Sequence, residues 1–311
     1  MPQTNPHGIP AQLAERQDSA LAQFWSRFHR HPGAMAGAIV LLVIVVSVIA
    51  VSFVSPYDPE KSVMAERLQS PSWEHPFGTD PLGRDMLTRV LYGGRISLIV
   101  GVSVIVIALG IGVPIGAVSG YFGGRMDNIL MRVTDAALSL PPLLVLILLS
   151  AILRETELPL IQSNSVATIA IVIGVLSWMT IARLVRASFQ VFREMDFVIA
   201  ARSLGATDFR IITRHILVNA IGPVIVEATL GMGWAIMEES GLSYLGFGVQ
   251  PPTPSWGNLL SNAQEHMTQH PWLAIFPGLM IFLTLIAVNY IGDGLRDALD
   301  PHKVLKSIGE T

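Results

Sequence analysis

Few residues in this chain stand where they could do chemistry, and the first is Glu227, an acid in the middle of an apolar stretch, 216–237. It lies 11 residues beyond Ile216 and 10 before Met237. At about 1.5 Å per helical residue, it is roughly 16 and 15 Å from the two ends. No side chain reaches a surface from there, and a carboxylate facing lipid at that depth costs roughly 2.5–3.5 kcal/mol. Glu227 is therefore expected to face protein, either as a protonated acid bonded to a neighbouring helix or as a group lining a path for a cation. Gly222 and Pro223, one turn earlier, loosen the helix and would let water or a partner group reach the acid. Glu239, just past the stretch, is assigned to the same path.

Other chemistries are excluded by residue type. Binding ATP through a phosphate loop requires a lysine directly after a glycine, whereas Lys61, Lys303 and Lys306 follow Glu60, His302 and Leu305. Energy for any work must therefore come from a partner. The absence of cysteine excludes disulfides, iron–sulfur clusters and thiolate zinc sites. His266 and His270 could share a helix face as metal ligands, but no third ligand joins them at helical spacing, so they are assigned to the surface. His29 and His31 flank an apolar stretch as interfacial residues. No nucleophile stands with a base and an orienting group at useful spacing. Neither a metal nor any other cofactor is expected in this chain. A net charge of −3 without a run of basic residues excludes nucleic acid as a partner.

The elements that must position these groups are set by composition. The 311 residues are 51% hydrophobic and 14% charged, with a mean hydropathy of +0.54; a soluble domain carries roughly 25% charged residues. A lipid bilayer is the implied environment. Six stretches approach the roughly 20 apolar residues that cross a bilayer core: 34–54, 96–119, 136–153, 166–182, 216–237 and 272–291, of which the fifth alone holds an ionisable residue. These predict an all-α protein with six transmembrane helices. The first stretch follows a polar segment and is too long for the core of a signal peptide, so it is predicted to be a span.

Orientation follows from Lys and Arg, which are retained on the inside. With the N-terminus inside, the inner segments hold 14 of the 20, including Arg183, Arg186, Arg193, Arg202, Arg210 and Arg214. The first outer loop, with Lys61, Arg67, Arg84, Arg89 and Arg95, runs against the rule, but 241–271 holds none. Both termini are thus placed in the cytoplasm, and residues 1–22 are expected to be disordered.

The segment 196–219 is predicted to form two short helices around a break at Gly205, a residue able to take the left-handed conformation that ends a helix. Thr207 and Asp208 can cap the next helix. Ala200 and Ala201 leave a patch that another surface can approach closely, as a hairpin inserted into a partner's cleft would require. Span two ends in Gly112, Gly116, Gly120 and Gly124, one stripe of small residues that permits close helix contact; the spacing leaves open whether the contact is internal or with a second subunit. In the first outer loop Asp80, Arg84, Asp85 and Arg89 are expected to form an internal ion-pair lattice rather than touch substrate. In the second, prolines around Gln250–Gly257 restrict the backbone, and Trp256 is assigned to the membrane interface.

Ala200, Ala201, Gly205 and the following His215-Ile216-Leu217 resemble the EAA loop of ATP-binding cassette (ABC) importer permeases, with Ile199 and Val218 where that family usually carries Glu and Pro. HPFGTDPLGRDMLTRVLYGGRISL (75–98), GYFGGRMDNILMRVTDAALSLPPLL (120–144), LGFGVQPPTPSWGNLL (245–260) and GDGLRDALDP (292–301) look like the C-type permease subunit of the dipeptide, oligopeptide and nickel importers. The resemblance implies a type I ABC importer transmembrane domain, divided into a cytoplasmic N-terminal segment (1–33), a first span with external loop (34–95), a permease core (96–291) with a coupling hairpin (196–215), and a cytoplasmic tail (292–311). It assigns Ala200, Ala201, Gly205, Ala206, Asp208 and His215 to contact with an ATPase, and Glu227 to a path where it meets the amine of a passing peptide. Implied partners are a second homologous permease, two ATP-binding subunits, an extracytoplasmic binding protein and a peptide, in the cell inner membrane. The alternatives are another substrate of the same family, such as nickel or glutathione, or an ion-coupled secondary transporter. The last has one intramembrane acid and no visible inverted repeat in its favour.

Overall fold

The computed structural model describes residues 20–155 and 164–299. The expectation of disorder at 1–22 falls almost entirely, and that of a tail beyond 299, outside the described residues. Within them the protein is helical, with a lone antiparallel bridge between Thr79 and Asp85. The helices are α1 (Ala20–Arg30), α2 (Pro32–Val54), α3 (Met86–Phe122), α4 (Gly124–Leu138), α5 (Pro142–Glu155), α6 (Ser165–Phe192), α7 (Asp196–Ser203), α8 (Asp208–Arg210), α9 (Leu217–Tyr244), α10 (Trp256–Ala263) and α11 (Trp272–Leu299). A π-helical segment, Ile211–Ile216, joins α8 to α9.

Polar residues fix where these helices begin. The His31 ring accepts from the Ala34 amide at 3.0 Å, with Pro32 preset for the first turn of α2. Asp85 accepts from the Thr88 amide at 2.7 Å to start α3. Asn164 caps α6, and Ser255 with Asn258 closes a capping box on α10.

Five helical runs are long and apolar enough to cross a membrane: α2, α3, α6, the run from α8 through α9, and α11. The third predicted span differs. Instead of one helix over 136–153, α4 ends at Leu138 and α5 begins at Pro142, the two bent by 88°, so that the pair makes a sixth span only when counted together. Pro141 drives Leu140 out of the helical region and Pro142 can only begin a helix, a backbone constraint invisible to hydropathy. The second half of the hairpin also differs from expectation. It is no separate short helix but one turn that runs through the π segment into α9.

The bundle is held by close backbone approach as much as by bulk. A Cβ on Gly112, Gly116 or Gly120 would lie 2.7, 2.5 or 2.6 Å from the carbonyl oxygens of Trp178, Ala182 and Arg186 on α6. The glycine stripe of span two therefore packs within the chain, against α6. Gly124 leaves the stripe, because Gly123 turns at a φ of 67° and starts α4 in a new direction. At the opposite side of the bundle α2 lies on α11, where Gly37 meets the Ala287 carbonyl. The run of α9 packs against α3, α6 and α11, and its burial of Ala220, Val224, Ala235 and Ile236 makes it a common wall of three of the four hydrophobic clusters.

Candidate coupling and translocation sites

Two features face away from this core: a hairpin at one end and a cavity in its wall. The hairpin begins with α7 and closes at Gly205, whose φ of 81° places it in the left-handed region. The Ala206 amide donates to the Ala201 carbonyl at 3.1 Å and the Gly205 amide to that of Arg202 at 3.0 Å. These are the paired bonds of a Schellman ending. Thr207 then caps α8 by accepting from the Arg210 amide at 3.4 Å. Val198 and Ala201 are buried, and Val198 packs with Ile211, Ile216 and Phe189. Ala200 and Asp208 are exposed, His215 is half-buried in the π segment, and Leu204 and Phe209 stand 89% and 76% exposed at the tip. Two bulky apolar groups on a loop flanked by charges form a surface that is costly in water and suited to a partner.

Tyr121, in the last turn of α3, fastens the hairpin to the bundle. Its hydroxyl donates to Asp208 Oδ1 at 2.5 Å and accepts from Arg202 Nη2 at 3.2 Å. The latter bond holds the Arg202 guanidinium above its ordinary pKa. The two residues before Tyr121 bind other elements. Ser119 Oγ donates to Asp127 of α4, Arg186 Nη2 of α6 reaches Asp127 Oδ2 at 2.6 Å, and Arg193 Nη1 donates to the Gly120 carbonyl at 3.2 Å. Three consecutive residues thus join α3 to α4, to α6 and to the hairpin.

The cavity, of about 290 Å³, is lined by α9 on one side and α6, with Ile105, Leu138, Pro142 and Leu146, on the other. From α9 it receives Glu227, Gly231, Trp234 and Glu238, the i, i+4, i+7, i+11 stripe of one helix. From α6 it receives Ser177 and Thr180. Glu227 is half-buried on the wall of this cavity. Glu238 is not among the sequence candidates: it stands one residue beyond the 216–237 stretch, and its spacing from Glu227 is the signal that points to it. Glu239, assigned from the sequence to the same path, is placed differently. One residue round the helix, it points away from the cavity and is wholly buried, accepting from Ser97 Oγ at 2.9 Å and from Ser243 Oγ at 2.7 Å. Ser97 also receives the Trp256 amide and Ser243 the Val249 amide, so Glu239 ties α3, α9 and the start of α10 together. These bonds make Glu239 a fastener between helices.

In the loop between α2 and α3, Asp80 pairs with Arg84 at 2.7 Å and with Arg89 at 3.5 Å, while Asp85 receives His75 Nδ1 at 2.9 Å; all are buried. The charges form the internal lattice expected of them. Trp256 is a correction of place. It is fully buried, not interfacial, and its Nε1 donates to the Val90 carbonyl at 2.9 Å, because α10 inserts between α3, α9 and α11. His266 and His270 have ring centroids 6.5 Å apart, and His270 packs on Trp272.

The described residues thus form a multi-span helical bundle with a charged and apolar hairpin at one end and acids on a cavity within its wall. Comparison with known proteins gives the family. Residues 112–304 match the family of "Binding-protein-dependent transport system inner membrane component" proteins, and residues 19–71 match "N-terminal TM domain of oligopeptide transport permease C". The chain belongs to this family of ABC importer permeases. It is 40% identical over 280 residues to the glutathione transport system permease protein GsiD of Escherichia coli O157:H7, covering 90% of this chain and 89% of that one. It is also 40% identical over 299 residues to BRA0407/BS1330_II0404 of Brucella suis biovar 1 (strain 1330), which bears a peptide-permease name, covering 96% and 94%. Among solved structures, the MetNI methionine ABC transporter in inward-facing conformations matches with a TM-score of 0.55 at 17% identity, over 69% of this chain and 98% of that one. That likeness bears on the fold, the type I importer transmembrane domain.

Proposed function

We propose that this chain forms one half of a translocation pathway for peptides across the cell inner membrane, its other half being a second homologous permease. Both termini and the hairpin lie in the cytoplasm, the 55–85 and 245–271 segments outside. Two ATP-binding subunits serve the pair, one seated on the hairpin; an extracytoplasmic binding protein delivers the peptide to the outer face. Closure of the ATPases on ATP moves the hairpin, and the fastening of Tyr121 to Asp208 and Arg202 passes that movement to α3. The pathway then alternates between outward and inward openings. No cofactor is required of this chain.

The observation that carries the reading is the tip of the hairpin, where Leu204 and Phe209 project beyond a backbone fixed by the Schellman ending. An isolated surface loop gains nothing from such groups, whereas an ATPase cleft would bury them. The test is co-purification and peptide import by the reconstituted complex carrying Leu204→Glu and Phe209→Glu. The ATP-binding subunits are expected to dissociate and import to cease. Full import with normal subunit content would refute a seat at this hairpin. The two similar relatives bear different substrate names, glutathione and peptide.

A further inference from the structure

We infer that the pathway face of α9 favours solutes with more cationic than anionic groups, through Glu227 and Glu238 acting as two successive stations with Trp234 between them. The inference rests on the reading of the chain as a peptide permease and adds the charge class of its cargo. Both acids and the indole line the same cavity. None of its lining residues is Lys, Arg or His. Among the described residues neither carboxylate has a hydrogen-bond or ion-pair partner, whereas Glu239 beside them is fully bonded to serines. The cavity thus concentrates acceptors with no cation of its own to balance them.

The spacing gives the order of events. Eleven residues place the carboxylates about 16 Å apart along the axis, and Trp234 lies about 10 Å from Glu227 and 6 Å from Glu238. One ammonium group cannot touch both acids, so each holds it in turn. The face of an indole attracts a cation on the way. Ser177 and Thr180, opposite on α6, can solvate the neutral backbone of the same molecule. The stripe is also open on its far side, where Trp234 is 66% exposed. Lipid is an unfavourable neighbour for carboxylates at that depth, which makes this the side closed by the second permease, with the stations on the enclosed path. An amine entering from outside meets Glu238 first and Glu227 near the middle of the membrane. A solute with two carboxylates and one amine, as in glutathione, meets repulsion at both.

The experiment uses the complete complex in proteoliposomes, with the binding protein saturated so that its own preference drops out, and trilysine, trialanine and triglutamate as probes. Wild type is expected to import trilysine fastest. Glu227→Gln and Glu238→Gln are each expected to slow trilysine by about tenfold, trialanine less and triglutamate not at all, with Glu→Asp at either position restoring most of the loss. Equal slowing of the three peptides, no slowing, or failure of the Gln variants to assemble would overturn the inference. A basic side chain from the second permease bonded to either acid would do the same. Failure of the wild-type complex to import any of the three would instead refute the peptide reading on which the inference rests.

Discussion

The seam between α3 and α6 offers a perturbation with its own control. Gly116→Ala adds one methyl group at a point 2.5 Å from the Ala182 carbonyl oxygen and 2.7 Å from Val185 Cβ. Ordinary contact between carbon and oxygen needs about 3.3 Å, so the backbones must part by about 1 Å. Dispersion falls steeply across such a gap, and overpacking of this kind costs about 1–3 kcal/mol. Gly110, on the same helix, has no atom within 4 Å of the point a Cβ would occupy. Alanine there gains the same helix propensity, up to about 1 kcal/mol, without the clash. The difference between the two variants therefore isolates the seam. In detergent, unfolding by a denaturing surfactant is expected to begin at a lower fraction for Gly116→Ala than for wild type, and at an equal or higher one for Gly110→Ala. The predicted gap corresponds to a roughly 5- to 150-fold change in the unfolding equilibrium, worked from about 1–3 kcal/mol. Equal midpoints would refute the claim that carbonyl approach, rather than side-chain bulk, holds these helices.

Three further outcomes follow from named contacts. Gly205→Val is expected to leave insertion intact, since no atom stands within 4 Å of the added group, but to cost about 1–2 kcal/mol of backbone strain at a φ of 81°; ATP hydrolysis by the assembled complex should continue while import falls, and wild-type import would remove the turn from the mechanism. Tyr121→Phe keeps the ring and removes both bonds to Asp208 and Arg202; import per ATP hydrolysed should drop, with an unchanged ratio counting against the strut. Arg89→Met leaves Asp80 paired with Arg84 but takes the donor from the Pro59 carbonyl, so a loss of about 1–3 kcal/mol is expected, read as early proteolysis of the 55–85 loop.

The sequence made the spans legible because lipid imposes one rule, the exclusion of charge, that composition records directly. Gly205 and Thr207 were legible because helix ends are made by neighbours in the chain. What escaped was whatever depends on backbone geometry or on distant pairing. Pro141 and Pro142 sit in an apolar run, so hydropathy passes over the bend between α4 and α5. Tyr121 is 87 residues from Asp208 and 81 from Arg202, and no local pattern announces either bond. Trp256 has the residue type of an interfacial anchor, but a Ser–Asn capping box sets α10 into the bundle. Glu238 and Glu239 show how fine the distinction can be. Adjacent acids differ by about 100° round the helix, enough to put one on a cavity and the other in a serine cluster.

The length of α3 sets a lever ratio. Its 37 residues run about 55 Å, nearly twice the roughly 30 Å of a bilayer core. The close contacts of Gly112, Gly116 and Gly120 lie toward the Tyr121 end. Measured from Gly116, the arm to Phe122 is about 9 Å and the arm to Met86 about 45 Å. Pro114 is the weak point of such a rod, but glycine contacts stand on both sides of it and splint it against α6. If the seam is the fulcrum, a shift of about 1 Å at the hairpin end therefore appears as about 5 Å at the far end, reversed in direction. The far end is anchored in the buried lattice of Asp80, Asp85 and Arg89, so the loop that carries the lattice would receive the stroke.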